Sequence, residues 1–460
     1  MRRKSLACLF LLTVAQVLVA QSHPVPLIYQ PLQPTSVAPG HAAFTLSVEG
    51  TGFVPGAVVK WNGKSLSTTF VSTGLLQSSV SASAVARAST ASIAVANPGT
   101  IVSNVIYFPV RQPSTTVNMQ GSTIEAGEIA VGDFNNDGRP DIAVQGLDQN
   151  VDTYLDEKGG FMRLAGPAWG GSGVLPAPLD VTGDFNGDGN LDVFVCFSAA
   201  GPSSGCVLYL GDGKGGFAPI PGYHVLQGSG AVADVNGDGR LDYVFDNVAA
   251  DGLGSSFGVD LGHGDGLFQN SQGIPLNGNK PGGTPVVADF NLDGFLDVAV
   301  PVANYVAVFL RSADGASWQH EVDYPVANPG ALAVADVNGD GILDLVTSGV
   351  SILLGKGDGT FSAGNSISLT NGGTGANIQV GDLNGDGILD LVTATMDSNY
   401  NQTVNILLGM GGGSFQNPIT LPTEQAWWFP EVQIADFNDD GKLDIVIGGQ
   451  ANVTVFRQQQ

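Results

Sequence analysis

Positive charge is what this chain most lacks. Only 17 of its 460 residues are Lys or Arg, against 42 Asp or Glu, and the formal net charge is −25. Nucleic acid is held through basic contacts to phosphate, so it is excluded as a partner. Histidine is scarce as well, at positions 23, 41, 224, 263 and 320, and none of the five pairs in sequence with an obvious nucleophile or second ligand. Three cysteines are too few for a disulfide-dense scaffold. After the first twenty residues no apolar run is long enough to span a bilayer. Long helical stripes are missing too. Short apolar segments bounded by Gly, Asn, Asp and Pro, with 65 glycines, read as an all-β chain with tight turns.

What is abundant is one motif. Asp-x-Asn-x-Asp-Gly-x-x-Asp occurs seven times, with starts separated by 46 residues (Asp336 to Asp382) to 55 residues (Asp234 to Asp289). A period near fifty residues argues for a repeat array. In each copy positions 1, 3 and 5 offer side-chain oxygens, position 7 a backbone carbonyl and position 9 a last carboxylate, with Gly at position 6 permitting the sharp turn. The first set is Asp133, Asn135, Asp137, the carbonyl of Arg139 and Asp141. The second is Asp184, Asn186, Asp188, Asn190 and Asp192, and the third Asp234, Asn236, Asp238, Arg240 and Asp242. Asp289, Asn291, Asp293, Phe295 and Asp297 form the fourth, and Asp336, Asn338, Asp340, Ile342 and Asp344 the fifth. Asp382, Asn384, Asp386, Ile388 and Asp390 make the sixth, and Asp436, Asn438, Asp440, Lys442 and Asp444 the seventh.

Oxygen donors without Cys or His select a hard cation, and several carboxylates on a flexible loop suit calcium better than magnesium. Two carboxylates about 4 Å apart repel by about 4 kcal/mol at an effective dielectric of about 20. Crowding of this kind in seven loops alike points to about seven Ca2+. Seven dications would also bring the net charge from −25 to −11. A helical calcium hand is excluded, because position 12 is never Glu (Val144, Val195, Phe245, Val300, Thr347, Thr393, Ile447) and strands flank the loops.

Residues 1–20 carry the pattern of an export signal. Arg2, Arg3 and Lys4 precede an apolar stretch from Leu6 to Ala20, and Ala20 is small enough for cleavage after it. The expected location is therefore secreted, periplasmic or cell-surface. Cys196 and Cys206 fall on successive strands of one repeat, and export favours their oxidation to a disulfide.

Residues 26–110 carry no metal motif. The stretch Val48-Glu-Gly-Thr-Gly-Phe-Val-Pro-Gly-Ala-Val-Val-Lys-Trp61-Asn-Gly63, followed by Val95-Ala-Asn-Pro-Gly99, resembles the IPT/TIG family of immunoglobulin-like modules. That resemblance implies a small β-sandwich with Phe53 and Trp61 in or near its core, a spacer or interaction role, and no catalysis. Arg111 to Ser114 reads as a linker.

Residues 115–460 hold the repeats. Between Asp336 and Asp382 four strands are expected: Leu332 to Ala335, Leu345 to Thr347, Val350 to Leu354 and Ser366 to Leu369. A turn recurs as Leu210-Gly-Asp-Gly-Lys-Gly-Gly-Phe217, Leu261 to Phe268, Gly355 to Phe361 and Leu408 to Phe415, with Trp318 at the Phe position of its repeat. Together these features resemble the FG-GAP/VCBS repeats of integrin-α-like heads. The resemblance implies a seven-bladed β-propeller of four-stranded blades. After the seventh loop only Ile445 to Ile447 and Val453 to Phe456 remain, so Thr115 to Met119 is expected to complete that blade and remove an open edge.

Other patterns are void. Gly201-Pro-Ser203-Ser-Gly205 sits at a hairpin tip rather than on a strand-to-helix turn, and Gly211, Gly213 and Gly216 belong to the blade turn. Trp427, Trp428 and Phe429 lie in a linker where other repeats carry small or aliphatic residues, and Trp169 lies in a comparable one. These aromatics form a possible ligand face for stacking on sugar or anchoring a protein loop. The expectation is a calcium-stiffened, non-enzymatic adhesion or binding protein with an extracellular protein or glycan partner. A lectin-like propeller is the alternative, and a polysaccharide-degrading enzyme a more distant one.

Overall fold

Alternating apolar residues on short strands, interrupted by Gly- and Asp-rich turns, leave this chain no way to bury its apolar faces except by stacking sheets. The computed structural model describes residues 23–459, apart from 100, 125–126, 147–149, 158–159, 169–174, 178–181, 199–204, 221–229, 248–255, 270–272, 277–281, 313–316, 320, 328, 370–373, 398, 426–429 and 450–451. Residues 1–20, expected to be an export signal, and Ser203, His224, His320, Trp169, Trp427, Trp428 and Phe429 lie outside the described residues. Among the described residues no helix is long and apolar enough to cross a membrane.

Residues 27–110 form two four-stranded antiparallel sheets. One joins Leu27–Ile28, Phe44–Thr51, Leu75–Val80 and Thr68–Ser72; the other joins Lys64–Ser65, Val58–Trp61, Ser89–Ala96 and Ile106–Val110. Their shared core includes Leu46, Val48, Phe53, Leu76 and Phe108, and the Trp61 ring packs 5.4 Å from that of Phe108.

Beyond residue 126 the chain lays down one antiparallel sheet after another. The plainest consists of Leu332–Ala335, Asp344–Thr347, Ser351–Gly355 and Phe361–Ser366, paired in chain order. Its fourth strand begins at Phe361, not at Ser366 as the sequence suggested. The pairing of Gly355 with Phe361 closes the turn at once, so no residues are left over between turn and strand. The last sheet takes Glu431–Ala435, Asp444–Gly448 and Thr454–Gln458 from the end of the chain and Met119–Thr123 from before the first repeat. Closure therefore occurs where it was expected but through Met119–Thr123, with Thr454 opposite Thr123 and Gln458 opposite Met119. The two differences run in opposite directions: the fourth strand of the Leu332–Ser366 sheet starts earlier than expected because of that tight turn, whereas the closing strand lies later than Thr115 to Met119, where its pairing with Thr454–Gln458 sets it.

Apolar clusters join neighbouring sheets. Val193 and Tyr209 of one pack with Ala130 and Ala143 of the sheet before it. Phe437, Val446 and Val455 of the last sheet pack with Ile129, Ile142 and Tyr154 of the first. The chain is thus all-β, built of four-stranded antiparallel sheets in an order consistent with a β-propeller.

Candidate metal centre

Each Asp loop connects the first and second strands of its sheet, and its hydrogen bonds repeat around the molecule. In the first loop Asp133 Oδ1 accepts from the Asp137 amide at 2.9 Å and Oδ2 from the Gly138 amide at 2.8 Å. Asn135 Oδ1 accepts from the same Asp137 amide at 2.9 Å, so the oxygens of positions 1 and 3 converge on one point. Asn135 Nδ2 donates to Asp137 Oδ2 at 3.1 Å, and the Arg139 amide donates to Asp137 Oδ1 at 3.0 Å. Equivalent bonds hold Asp184, Asn186 and Asp188, then Asp234, Asn236 and Asp238. They recur at Asp289, Asn291 and Asp293, at Asp336, Asn338 and Asp340, at Asp382, Asn384 and Asp386, and at Asp436, Asn438 and Asp440.

Position 6 needs glycine, as expected: φ is +90° at Gly138 and +91° at Gly387. Position 4 is also left-handed, which the motif alone does not announce. Gly fills it in four loops, while Asn136 and Asp439 tolerate it. Leu292 is the strained exception at φ +58° in the fourth loop.

Position 9 is more than a ligand candidate. Asp141, Asp192, Asp242, Asp297, Asp344, Asp390 and Asp444 are all fully buried. Each clamps its loop to the third strand or the turn just beyond it. Asp344 Oδ2 accepts from Val337 N at 3.1 Å and its Oδ1 from Gly355 N at 2.9 Å. Asp390 accepts in the same way from Leu383 N and Gly409 N, at 2.8 and 2.7 Å. Burial, with the nearby loop carboxylates adding to it, pushes Asp141, Asp192, Asp242, Asp297 and Asp344 up to about 7, and Asp390 and Asp444 up to about 8.

A second device was not legible beforehand. The carbonyl of position 2 accepts from a glycine in the turn of the next sheet: Phe134 from Gly215 N at 2.9 Å, Phe185 from Gly266 N at 3.0 Å and Phe290 from Gly359 N at 3.0 Å. The ring of Phe217 then lies 5.2 Å from Phe134 and that of Phe361 5.4 Å from Phe290. The recurring aromatic turn is therefore a staple between sheets, and the loops are tied to the packing of the ring. At the sheet that carries Trp318 instead of Phe, the indole packs edge-on to Phe257 with the Arg311 guanidinium 5.1 Å from its ring.

The donor set suits a hard cation in its chemistry: three carboxylates and an Asn amide per loop, with neither Cys nor His. In the geometry seen here the loops are closed on themselves by amide hydrogen bonds. Among the described residues no three His, Cys, Asp or Glu side chains form a group that could hold an ion. Cys196 and Cys206 lie directly opposite on adjacent strands and are joined by a disulfide. Gly211, Gly213 and Gly216 lie in and beside a hairpin turn with no helix after it, and His263 is exposed in another such turn.

Three stretches of the chain, residues 133–195, 184–245 and 345–393, match the FG-GAP-like repeat. The chain carries these repeats, and with its four-stranded sheets they support a propeller fold. No curated protein matches the sequence significantly. Among solved structures, an auxiliary nutrient binding protein from Bacteroides ovatus is 11% identical, with 95% of this chain and 98% of that one covered at a TM-score of 0.40. BBS1N, solved in complex with ARL6DN, is 11% identical over 76% of this chain and 98% of its own, at 0.47. The WD40 domain of SCAP from fission yeast is 11% identical over 75% and 90%, at 0.34. Similarity this slight carries no argument about what the chain binds or does.

Proposed function

We propose that this chain is an exported, calcium-binding, non-enzymatic interaction or adhesion protein: a seven-bladed propeller behind an immunoglobulin-like module of the IPT/TIG kind. One observation carries the reading. The same oxygen-only loop recurs at seven places, and in each a fully buried aspartate is held at a raised pKa by burial and by its neighbours' charge. A divalent ion is the group that offsets such crowding. Positions 1, 3, 5 and 9, with the carbonyl of position 7, would hold it, and its role would be to fix the loop and, through the position-2 staple, the ring. The non-enzymatic reading rests on the sequence, in which none of the five His pairs with an obvious nucleophile or second ligand. A rigid disc of this kind offers a protein or glycan a fixed surface, and the partner is outside the chain.

Isothermal titration of calcium into chelator-stripped protein tests this. About seven equivalents are expected to bind. Absence of binding at millimolar calcium, the range of extracellular modules at about 10⁻⁴–10⁻³ M, overturns it.

A further inference from the structure

The N-terminal unit does not trail from the propeller; it lies across the Asp loops. Val25 N donates to Asp234 Oδ2 at 2.8 Å in the third loop. The Asp289 amide of the fourth donates to Tyr29 Oη at 3.0 Å, and Tyr29 and Thr51 share a 2.7 Å hydroxyl bond. The Asp336 amide of the fifth donates to the Gln30 carbonyl at 3.1 Å. At the sixth, Ser36 donates to the Gly385 carbonyl at 3.3 Å, the Ser114 amide to the Asn384 carbonyl at 2.8 Å, and the Arg111 guanidinium to the Leu383 carbonyl. At the seventh, a Cβ on Gly441 would stand only 2.6 Å from the Val110 carbonyl. Loop one faces the unit across a cleft of about 330 Å³ lined by Tyr107, Asn62 and Arg139.

Coverage has a measurable consequence. Loops of one sequence should bury their first aspartate alike, yet they fall into two groups. Asp234, Asp289, Asp336, Asp382 and Asp436 are 3–7% exposed, whereas Asp133 and Asp184 are only half-buried. The buried five are those the N-terminal unit bonds or closes upon; loop one lies beside its Tyr107, which packs on the cluster of Ile129 and Ile142, and loop two meets it nowhere among the described contacts. Val25 contacts a carboxylate that the proposed ion would use, and the Asp289 and Asp336 amides that bond the unit belong to the residues whose carboxylates open loops four and five. Whatever fixes loops three to five therefore fixes the seat of the unit. Arg111 works in the opposite direction. It is 5% exposed among the carboxylates of loops six and seven, Asp382, Asp440, Asp390 and Asp436, and stands in there for part of a cation's charge.

We infer that seating of the N-terminal unit and calcium binding in loops three to five are one linked equilibrium, while loop two binds calcium independently of it. The inference rests on the calcium reading above. Linkage requires that what calcium adds to the loops be returned as tighter docking. With calcium about ten times above a site's dissociation constant, one linked site shifts the docking equilibrium about tenfold.

The test is amide hydrogen exchange of the full chain, in calcium and in chelator, beside a calcium titration. Four amides span the interface: Val25, Asp289, Asp336 and Ser114. Exchange at the first three is expected to slow by about tenfold or more in calcium, and Ser114, beside Arg111, to respond less. Val25→Pro, which removes one N–H from an already Pro-preceded site, is expected to weaken calcium binding at all three linked sites and to leave the uncovered second site as it was. Asp184→Asn, in the uncovered second loop, is expected to remove one equivalent of calcium without changing exchange at the four amides. If calcium binds but these amides exchange equally in chelator, the linkage is wrong and the calcium reading stands. If no calcium binds, both fall.

Discussion

Replacing Asp344 by Asn separates a cation ligand from a mere structural clamp. The wild-type carboxylate is fully buried and accepts two amides, Val337 N at 3.1 Å and Gly355 N at 2.9 Å. An Asn of the same shape has one acceptor oxygen, so its NH2 must face the second amide. Leaving that buried donor unmatched costs about 1–3 kcal/mol. The substitution also removes a charge that sits beside Asp336 and Asp340 and is itself pushed up to about 7. In chelator the relief of crowding offsets much of the lost hydrogen bond, and the variant should unfold at nearly the wild-type urea midpoint. In calcium nothing remains to be relieved, and the variant also loses a ligand of a site worth about 1.4 kcal/mol at ten times its dissociation constant. The destabilisation should therefore be several-fold larger in calcium than in chelator, with one fewer equivalent bound by calorimetric titration. Equal destabilisation in the two buffers, with unchanged stoichiometry, would refute the reasoning and leave Asp344 as a clamp alone.

Three further outcomes are expected. The position-9 aspartates are raised in the folded state, so their stabilising contribution is full below the ordinary carboxylate range and is lost as pH rises through about 7–8; stripped protein should melt higher at pH 5.5 than at pH 8.5, calcium should flatten that slope, and a stripped protein that gains stability with rising pH would contradict the assignment. Replacing Cys196 and Cys206 by Ser should lower stability by about 2–3 kcal/mol in urea denaturation, and titration of unfolded, unreduced wild-type protein should find neither thiol free. Thr123→Cys with Thr454→Cys, opposite each other across the closing pair, should cross-link under mild oxidation and raise the melting temperature; failure to form the bridge would place Met119–Thr123 elsewhere.

Much of this was legible because it is local or periodic. Gly at position 6, the alternation of strands around each loop and the Cys196–Cys206 hairpin follow from a few neighbouring residues, and the burial of Phe53 and Trp61 was implied by the resemblance of that stretch to immunoglobulin-like modules. The Asp loops were legible as donor sets. Position 9 was read as a ligand, but its service as a clamp depends on an amide 11 residues away for Asp344 and 19 for Asp390. Strand four was set too late in the repeat because apolar alternation in Ile367 to Leu369 outweighed the tightness of the Gly355–Phe361 turn. Arg111 to Ser114 read as a linker on composition, yet Arg111 is buried against the sixth loop. Docking of the N-terminal unit was hidden altogether. Its contacts join residues 209 apart, as in Val25 to Asp234, or 350 apart, as in Gln30 to Val380. A separation of that size leaves no periodic trace in composition or spacing.

Differential scanning calorimetry of the full chain, in millimolar calcium and in excess chelator, bears most directly on whether a divalent ion holds the loops. Seven sites filled to ten times their dissociation constants add about 10 kcal/mol, comparable to the stability of an ordinary domain. The melting temperature should therefore fall steeply when calcium is withdrawn and recover when it is restored. Superimposable melting curves in the two buffers would contradict the account.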